Sequence, residues 1–451
     1  MLLRYPNLVR LRTFSTLILI ITITVGCTSE ARPTPTNTPI TTATPLPGEI
    51  TTPSPTPRPE IVIQALVLFP DEELGGYYVI GTLENQSQGQ IDSISIQITI
   101  LNTEEELVSE QVIQPFLNRL SPKAISPFKA TFPNVGEAAS VNAEILTYQK
   151  IEFEEVSIEI DDLQTISTND GGMAILGLVE NPNAKAIVID AFGLLAVDPQ
   201  GDPIDLFPYT AGLSWLGPGE RAPFLALSSQ DPGEVDLVPY YNATLTRGSR
   251  SAPLTISTPP KVLITEQGSP MILGTITNTH NRSYDMSFLI ILRIEDEILT
   301  ITSIKPLLPL RPGESRPFAI TEFPGLTAQL EKYGSWVGEL TAEILVDPYA
   351  SRPSTRSLVQ LDVQITQFEP IGSSLFIKGE MFNPKETGVE SATVLAAVRS
   401  TAGELLTAGW TYLLEILPGN GSREFVLHLS LPEGADPAMT EYDVQAFGLL
   451  P

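Results

Sequence analysis

The sequence predicts an all-β fold of four tandem antiparallel β-sandwich domains, which follow a signal peptide and a disordered Thr/Pro-rich linker. Two motifs recur four times at nearly fixed spacing, and apolar residues alternate with polar ones between them. The composition agrees, because 40 prolines and 32 glycines in 451 residues favour many turns over long helices. With 42% hydrophobic residues, the chain can form packed cores, and its length predicts two to four domains.

The first motif is a glycine at the end of an apolar run, followed four residues later by an asparagine. Its copies are Gly81 and Asn85, Gly177 and Asn181, Gly274 and Asn278, and Gly379 and Asn383. Successive glycines lie 96, 97 and 105 residues apart. We expect each asparagine to adopt left-handed backbone angles at a strand end and to hydrogen-bond to its own turn.

The second motif is a leucine followed eight residues later by a phenylalanine, with a proline turn between them. Its copies are Leu120 and Phe128, Leu216 and Phe224, Leu310 and Phe318, and Leu417 and Phe425. Proline presets φ and glycine accepts positive φ in such a turn, and each phenylalanine is expected to begin a strand and fill the core. The fourth copy departs from the pattern, because its proline is shifted by one residue and Glu424 replaces the proline before Phe425.

The stretch between the motifs alternates with period two, as in Ile94, Ile96, Ile98 and Ile100, and ends in a polar hairpin turn. We expect about seven short strands in each copy, which is typical of an immunoglobulin-like antiparallel β-sandwich. The predicted domains are residues 60–150, 151–250, 251–357 and 358–451.

The whole run also resembles the FxLYD family of bacterial extracellular domains. It reads Gly-x-x-x-Asn, an alternating strand, an acidic turn and Leu-x-Pro-Gly with Pro-Phe, and it covers most of residues 61–451. The nearest counterpart of the family's name motif is Leu194 to Asp198, without the tyrosine. The resemblance implies the sandwich fold and no general function.

Residues 1–26 are predicted to be a signal peptide, because three arginines precede a short apolar stretch. The run from Thr24 to Cys27 resembles a bacterial lipobox, although Thr24 stands where leucine is usual. The resemblance implies that Cys27 is lipidated and tethers the protein to the cell membrane, facing the extracytoplasmic side. An uncleaved anchor or an ordinary signal peptide remains an alternative. Residues 27–59 are predicted to form an extended Thr/Pro-rich linker.

The composition argues against catalysis and against nucleic acid. A formal net charge of −27 would repel phosphates. The two histidines, His280 and His428, fall in different copies without a recognisable nucleophile or base partner, and no cysteine–histidine cluster suggests zinc. We therefore predict no enzyme, no cofactor and no metal site, although turns such as Asp198 to Asp202 could hold calcium weakly.

The predicted function is a lipid-anchored extracellular protein that displays tandem sandwiches for binding or structural roles at the cell envelope. A protein or a polysaccharide of the envelope is a possible partner. One alternative is an accessory or spacer subunit of a membrane enzyme or transporter. A weaker alternative is a glycan-acting hydrolase with an unrecognised acidic site, because the chain has 53 acidic residues.

Overall fold

The computed structural model confirms an all-β fold of tandem antiparallel sandwiches. It describes residues 60–71, 75–168, 171–228, 231–247, 254–305, 308–333, 338–372 and 374–450. The predicted signal peptide, Cys27 and the predicted linker lie outside these residues. In the described part of the chain, no helix is long and apolar enough to cross a membrane.

Units 1 and 2 take up the first half of the described chain. The strands of unit 1 are β1 (Ile61–Asp71), β2 (Gly76–Asn85), β3 (Gln90–Leu101), β4 (Leu107–Ile113), β5 (Ile125–Phe132) and β6 (Ser140–Ile151). Those of unit 2 are β7 (Glu159–Ser167), β8 (Met173–Glu180), β9 (Ile187–Val197), β10 (Pro203–Ala211), β11 (Trp215–Leu216), β12 (Arg221–Ser228) and β13 (Asp236–Leu245).

Units 3 and 4 complete the order. The elements of unit 3 are β14 (Leu254–Ile264), β15 (Pro270–Asn278), β16 (Tyr284–Asp285), β17 (Phe288–Ile294), β18 (Glu297–Ile304), β19 (Ser315–Ile320), α1 (Leu326–Glu331), β20 (Leu340–Val346) and β21 (Arg352–Pro353). Those of unit 4 are β22 (Leu358–Ile371), β23 (Ser374–Phe382), β24 (Ser391–Ser400), β25 (Leu405–Leu413), β26 (Ser422–Ser430), a 3₁₀ turn (Pro437–Met439) and β27 (Thr440–Leu449).

Every unit contains the same two antiparallel groups of strands, which are separate sheets in units 1 and 3 and are joined through β10 in unit 2 and through β22 in unit 4. The first sheet contains the first, second and fifth long strands, as in β1-β2-β5, and the second sheet contains the fourth, third and sixth, as in β4-β3-β6. Against the expected number of about seven strands, units 1 and 4 have six each, unit 2 has seven and unit 3 has eight, counting two-residue strands. In unit 1 the sixth strand β6 pairs with β3, and the next strand along the chain, β7, pairs with β8 of unit 2 instead.

The alternating stretch forms the middle strand of each second sheet and places its apolar side chains in the core. In β3 the four alternating isoleucines, Ile94 to Ile100, are all fully buried. The polar turns that follow join the third and fourth strands as expected. In unit 1 the Asn102 side-chain oxygen closes this turn by accepting hydrogen bonds from the backbone N–H groups of Glu104 and Glu106.

The units are stacked sheet on sheet. The first sheet of unit 1 contacts β10 in the second sheet of unit 2, because β1, β2 and β5 all lie against that strand. In the same way β12 contacts β18, and β15 and β19 contact β25. The described residues between 60 and 450 accordingly belong to one compact body. The four domain boundaries drawn from the sequence stay a prediction.

Candidate interaction surfaces

The glycine of the first motif and the phenylalanine of the second are cross-strand neighbours. Gly81 lies opposite Phe128 in the β2–β5 pair. The same pairing recurs in the other units, at Gly177 and Phe224, Gly274 and Phe318, and Gly379 and Phe425. A methyl group on any of these glycines would lie closer than 3.0 Å to the phenylalanine ring. The glycine is therefore needed so that the ring can cover the backbone of the neighbouring strand.

The asparagine of the first motif joins the two motifs. The Asn85 side-chain amide donates to the backbone carbonyls of Gly89, at 2.8 Å, and Leu120, at 3.0 Å. Its side-chain oxygen accepts from the Ser87 backbone N–H. Asn181, Asn278 and Asn383 are also fully buried, and each donates to its own loop and to the turn of the second motif.

The expected left-handed backbone of these asparagines was wrong, although the bond to their own turn is present. In each unit the positive φ lies instead on the third residue of the proline turn: Lys123 at 69°, Gly219 at 67°, Gly313 at 71° and Asn420 at 54°. The asparagines remain extended because their backbone belongs to the strand, and the side chain alone turns towards the loop.

The fourth copy forms the same hydrogen-bonded turn as the other copies, although its proline is shifted by one residue. The Gly421 N–H donates to the Pro418 carbonyl, just as the Glu220 N–H donates to Gly217. Gly419 takes the second turn position, where a side chain would collide with the backbone of Glu386. The buried asparagine, leucine and phenylalanine of the two motifs thus fasten the exposed proline turn to the core of each unit.

The stacked faces are apolar at their centres. Ile80 of unit 1 forms a buried cluster with Leu195 and Leu206 of unit 2. Ile80 precedes Gly81 and therefore points away from its own core. Leu176 and Leu273 hold the same place in units 2 and 3, and both are only 3% exposed. The core of unit 2 continues into Leu289, Ile291 and Ile301 of unit 3.

Charged pairs border the first junction. Lys129 of unit 1 contacts the Asp205 carboxylate of unit 2 at 2.6 Å and lies 4.7 Å from the centre of the Tyr78 ring. Arg119 of unit 1 pairs with Asp190 of unit 2. These pairs favour one relative orientation of the two units, whose contact is apolar at its centre.

A second charged group lies beside the junction between units 3 and 4, where Glu314 and Arg316 line a small pocket together with β24 of unit 4. Arg316 is 5% exposed and donates to the carbonyls of Leu308, at 3.1 Å, and Pro309, at 3.2 Å. Burial would raise the pKa of Glu314, but the charge of Arg316 and hydrogen bonds from Arg316 and Arg311 outweigh it and lower that pKa. Glu314 therefore stays ionised and holds Arg316 in place.

The outward face of unit 4 differs from its three counterparts. Lys378 stands where units 1 to 3 have Ile80, Leu176 and Leu273. Glu424 replaces the proline before the phenylalanine, and the Lys378 and Glu424 side chains form an ion pair of 3.0 Å. The face at this end of the stack is thus charged where the three stacked faces are apolar.

The free second sheet of unit 1 is polar in the same way. Thr99 lies opposite Glu110, and Gln97 lies opposite Glu144. The matching positions in unit 2 are the paired Leu195 and Leu206 and the paired Gly193 and Tyr240, which lie in the first junction. Both ends of the stack therefore carry polar side chains at positions that are apolar in the stacked faces, as the terminal repeats of other stacked proteins do.

An open cleft of about 600 Å³ lies between units 2 and 3. Arg221 of unit 2 lines it and is paired with Asp161 and Asp162 at 3.2 Å, and Arg293 of unit 3 is paired with Glu343 at 3.4 Å. The cations that line this cleft already have acidic partners within the chain.

The two histidines each pack against an aromatic ring, and they lie in different units. The His280 ring packs edge-on against Tyr284, and the His428 ring packs edge-on against Phe376. A hydrogen bond to Glu297 raises the pKa of Tyr333 to about 12, which favours its neutral form. Within the described ranges, no group of three or more His, Cys, Asp or Glu residues could hold a metal ion.

The turn from Asp198 to Asp202, which the sequence left as a weak candidate for calcium, is closed by hydrogen bonds to its own backbone. The Asp198 side-chain oxygen accepts hydrogen bonds from the backbone N–H groups of Gln200, at 2.9 Å, and Asp202, at 2.8 Å. These bonds explain an aspartate at the start of the turn without an ion.

The comparisons with known proteins add little. No family model and no curated protein sequence matches the chain. Among solved structures, it is similar to the Salmonella enterica SafA pilin in complex with the SafB chaperone, at 11% identity over 62% of this chain and 87% of that chain, with a TM-score of 0.11. It is also similar to Escherichia coli alpha-2-macroglobulin activated by porcine elastase, at 10% identity over 82% of this chain and 41% of that chain, with a TM-score of 0.13. Such low scores carry no argument, and the FxLYD and lipoprotein assignments stay predictions.

Proposed function

We propose that the chain is a non-catalytic scaffold of the cell envelope, tethered by lipid on Cys27 and carrying its four sandwiches on the extracytoplasmic side. The observation that supports this role is the same face-to-face junction, formed three times. Each junction buries apolar side chains, so independent motion of the units would expose them to water. Among the alternatives, these contacts favour a spacer over a string of freely moving binding modules.

The carboxyl groups with resolved shifts do not favour the hydrolase alternative. Hydrogen bonds from Lys150 and Tyr148 lower the pKa of Glu60, and a hydrogen bond from Lys261 lowers that of Glu404. The pKa of Glu314 is also lowered. A glycosidase needs a general acid whose pKa is raised, and each of these shifts has the opposite direction.

The scaffold role is tested by a distance between the two ends of the stack. Cys27 is the single cysteine of the chain, so a Cys27→Ser background allows spin labels at Asn142→Cys in unit 1 and Glu424→Cys in unit 4. Electron–electron double resonance should give one narrow distance distribution. A broad distribution would mean that the units move independently and would refute the scaffold.

The lipid tether is tested separately. Cells that express the wild-type chain or Cys27→Ala are fed an alkyne fatty acid and then fractionated. We expect label and membrane retention for the wild type and loss of both for the variant. Wild-type protein without label would overturn the tether and leave the scaffold proposal standing.

A further inference from the structure

The segment between the fourth strand and the leucine of the second motif, here called the junction loop, contacts the next unit in units 1 to 3. In unit 1, Phe116 lies against Gly193 of unit 2. In unit 2, the Ser214 backbone N–H donates to the Asp347 carboxylate of unit 3 at 2.9 Å. In unit 3, Leu308 packs with Phe447 and Leu449 of unit 4. The junction loop is therefore the recurrent contact element of the stack.

The junction loop of unit 4 carries two apolar side chains that nothing in the described chain covers. Leu414 is 76% exposed and Ile416 is 69% exposed, the highest values among the exposed large hydrophobic residues of the described chain. Leu117 and Leu213 stand at the same distance before the motif leucine as Leu414, and they are 5% and 4% exposed. Exposure of two such side chains on one short loop is typical of a protein contact site.

The surface beside this loop indicates the chemistry of its partner. Phe382, 39% exposed, pairs with Ser422 at the end of the first sheet, and the turn of the second motif leads from the junction loop to Ser422. Further along the same face, Glu380 and Glu424 lie opposite each other. A partner must therefore be apolar where it meets the loop and polar or basic where it meets the sheet.

We propose that the junction loop of unit 4 docks on a β-sandwich domain of a separate protein. By continuity with the three internal junctions, that domain presents the apolar end of a strand to Leu414 and Ile416, and a basic side chain to Glu380, since Glu424 is already paired with Lys378. A second copy of this chain fits poorly. Its free face on unit 1 carries Glu110 and Glu144, which would meet like charges in a molecule whose net charge is −27.

This inference rests on the proposed scaffold role, because a scaffold holds the docking loop at a set place in the stack. The test inserts a photo-reactive benzoyl-phenylalanine at Leu414 of the full-length chain in cells of the source organism. Val112→benzoyl-phenylalanine is the matched control, since Val112 is 59% exposed on the free face of unit 1. We expect a protein adduct at position 414 about tenfold above the control, and mass spectrometry should map it to the sheet of a β-sandwich domain.

A second variant tests whether the crosslink at position 414 reflects specific docking rather than random collision. With the probe kept at position 414, Ile416→Ser should reduce the adduct about tenfold. Ile416 is exposed, so this change should leave the melting temperature unchanged. An adduct with a second copy of this chain, with phospholipid or with a protein lacking a β-sandwich would overturn the proposal, as would a yield equal to the Val112 control. The spin-label distance between units 1 and 4 tests the scaffold proposal independently of the crosslinking result.

Discussion

The outward faces of the first sheets differ between unit 1 and unit 4, although the strands beneath them are built alike. Ile80 is fully buried in the first junction, whereas Lys378, at the equivalent place in unit 4, forms a half-exposed ion pair with Glu424. Both residues precede a glycine that is covered by a phenylalanine. The fold of a unit is therefore independent of what its outer face contacts, and single side chains decide whether that face is stacked or solvated.

The largest expected effect on stability comes from placing a lysine, as found at Lys378 of unit 4, at the equivalent position Ile80 of unit 1. Ile80→Lys would place an uncompensated charge in the Ile80–Leu195–Leu206 cluster, so we expect the first junction to lose about 3 kcal/mol. The spin-label distance should broaden, and hydrogen exchange in β10 should increase. The matched control, Lys378→Ile, changes a face that has no stacked neighbour and should leave both measurements unchanged. Equal effects of the two substitutions would contradict the comparison.

The buried asparagine should matter equally in stacked and terminal units. Asn278→Ala removes the bonds to Arg282 and Leu310 and leaves buried carbonyls unpaired, so we expect a loss of about 2–3 kcal/mol. Asn383→Ala should cost a similar amount in unit 4. Denaturant midpoints measure both changes, and the exposed Asn281→Ala serves as a control. A much smaller effect at Asn383 would show that the stabilisation by the buried asparagine depends on stacking against a neighbouring unit.

Acid should destabilise unit 3 through Glu314, whose partners Arg311 and Arg316 lie in the same unit. Because its folded pKa is lowered, its contribution is fully present above the unfolded value of about 4.3 and is lost as pH falls through the folded value. We expect Glu314→Gln to cost about 1 kcal/mol at pH 7 and to lose less stability than the wild type between pH 5 and pH 3. Urea midpoints across this range give the measurement. Parallel pH profiles of the wild type and the variant would show that a group other than Glu314 causes the loss of stability in acid.

The smallest effect is expected at the terminal face. The side chains of Lys378 and Glu424 are 35% and 72% exposed, so solvent screens their ion pair. Glu424→Ala should therefore change the unfolding free energy by less than about 0.5 kcal/mol. Thermal unfolding at low and high salt checks this value. A loss of 1 kcal/mol or more would mean that the charged pair is part of the stability of unit 4.

Much of the fold could be predicted because its signals are local. Alternation from Ile94 to Ile100 specifies a half-buried strand, and an Asn- or Asp-initiated polar turn specifies a hairpin, within a few residues of chain. The sequence shows that Glu424 departs from the repeat. It does not show why, because only the stacked structure reveals that this face of unit 4 has no neighbouring unit in the described chain.

The sequence by itself determined the four repeats, their alternating strands and their turns, since period-two patterning and turn chemistry act over short distances. The tertiary structure alone decided three other features. It brought Asn85 to Leu120 across 35 residues of chain, it placed the first sheet of one unit on the second sheet of the next, and it left Leu414 and Ile416 uncovered. Each of these depends on which surfaces meet, and apolar residues look the same in a sequence whether they face a core, a junction or solvent.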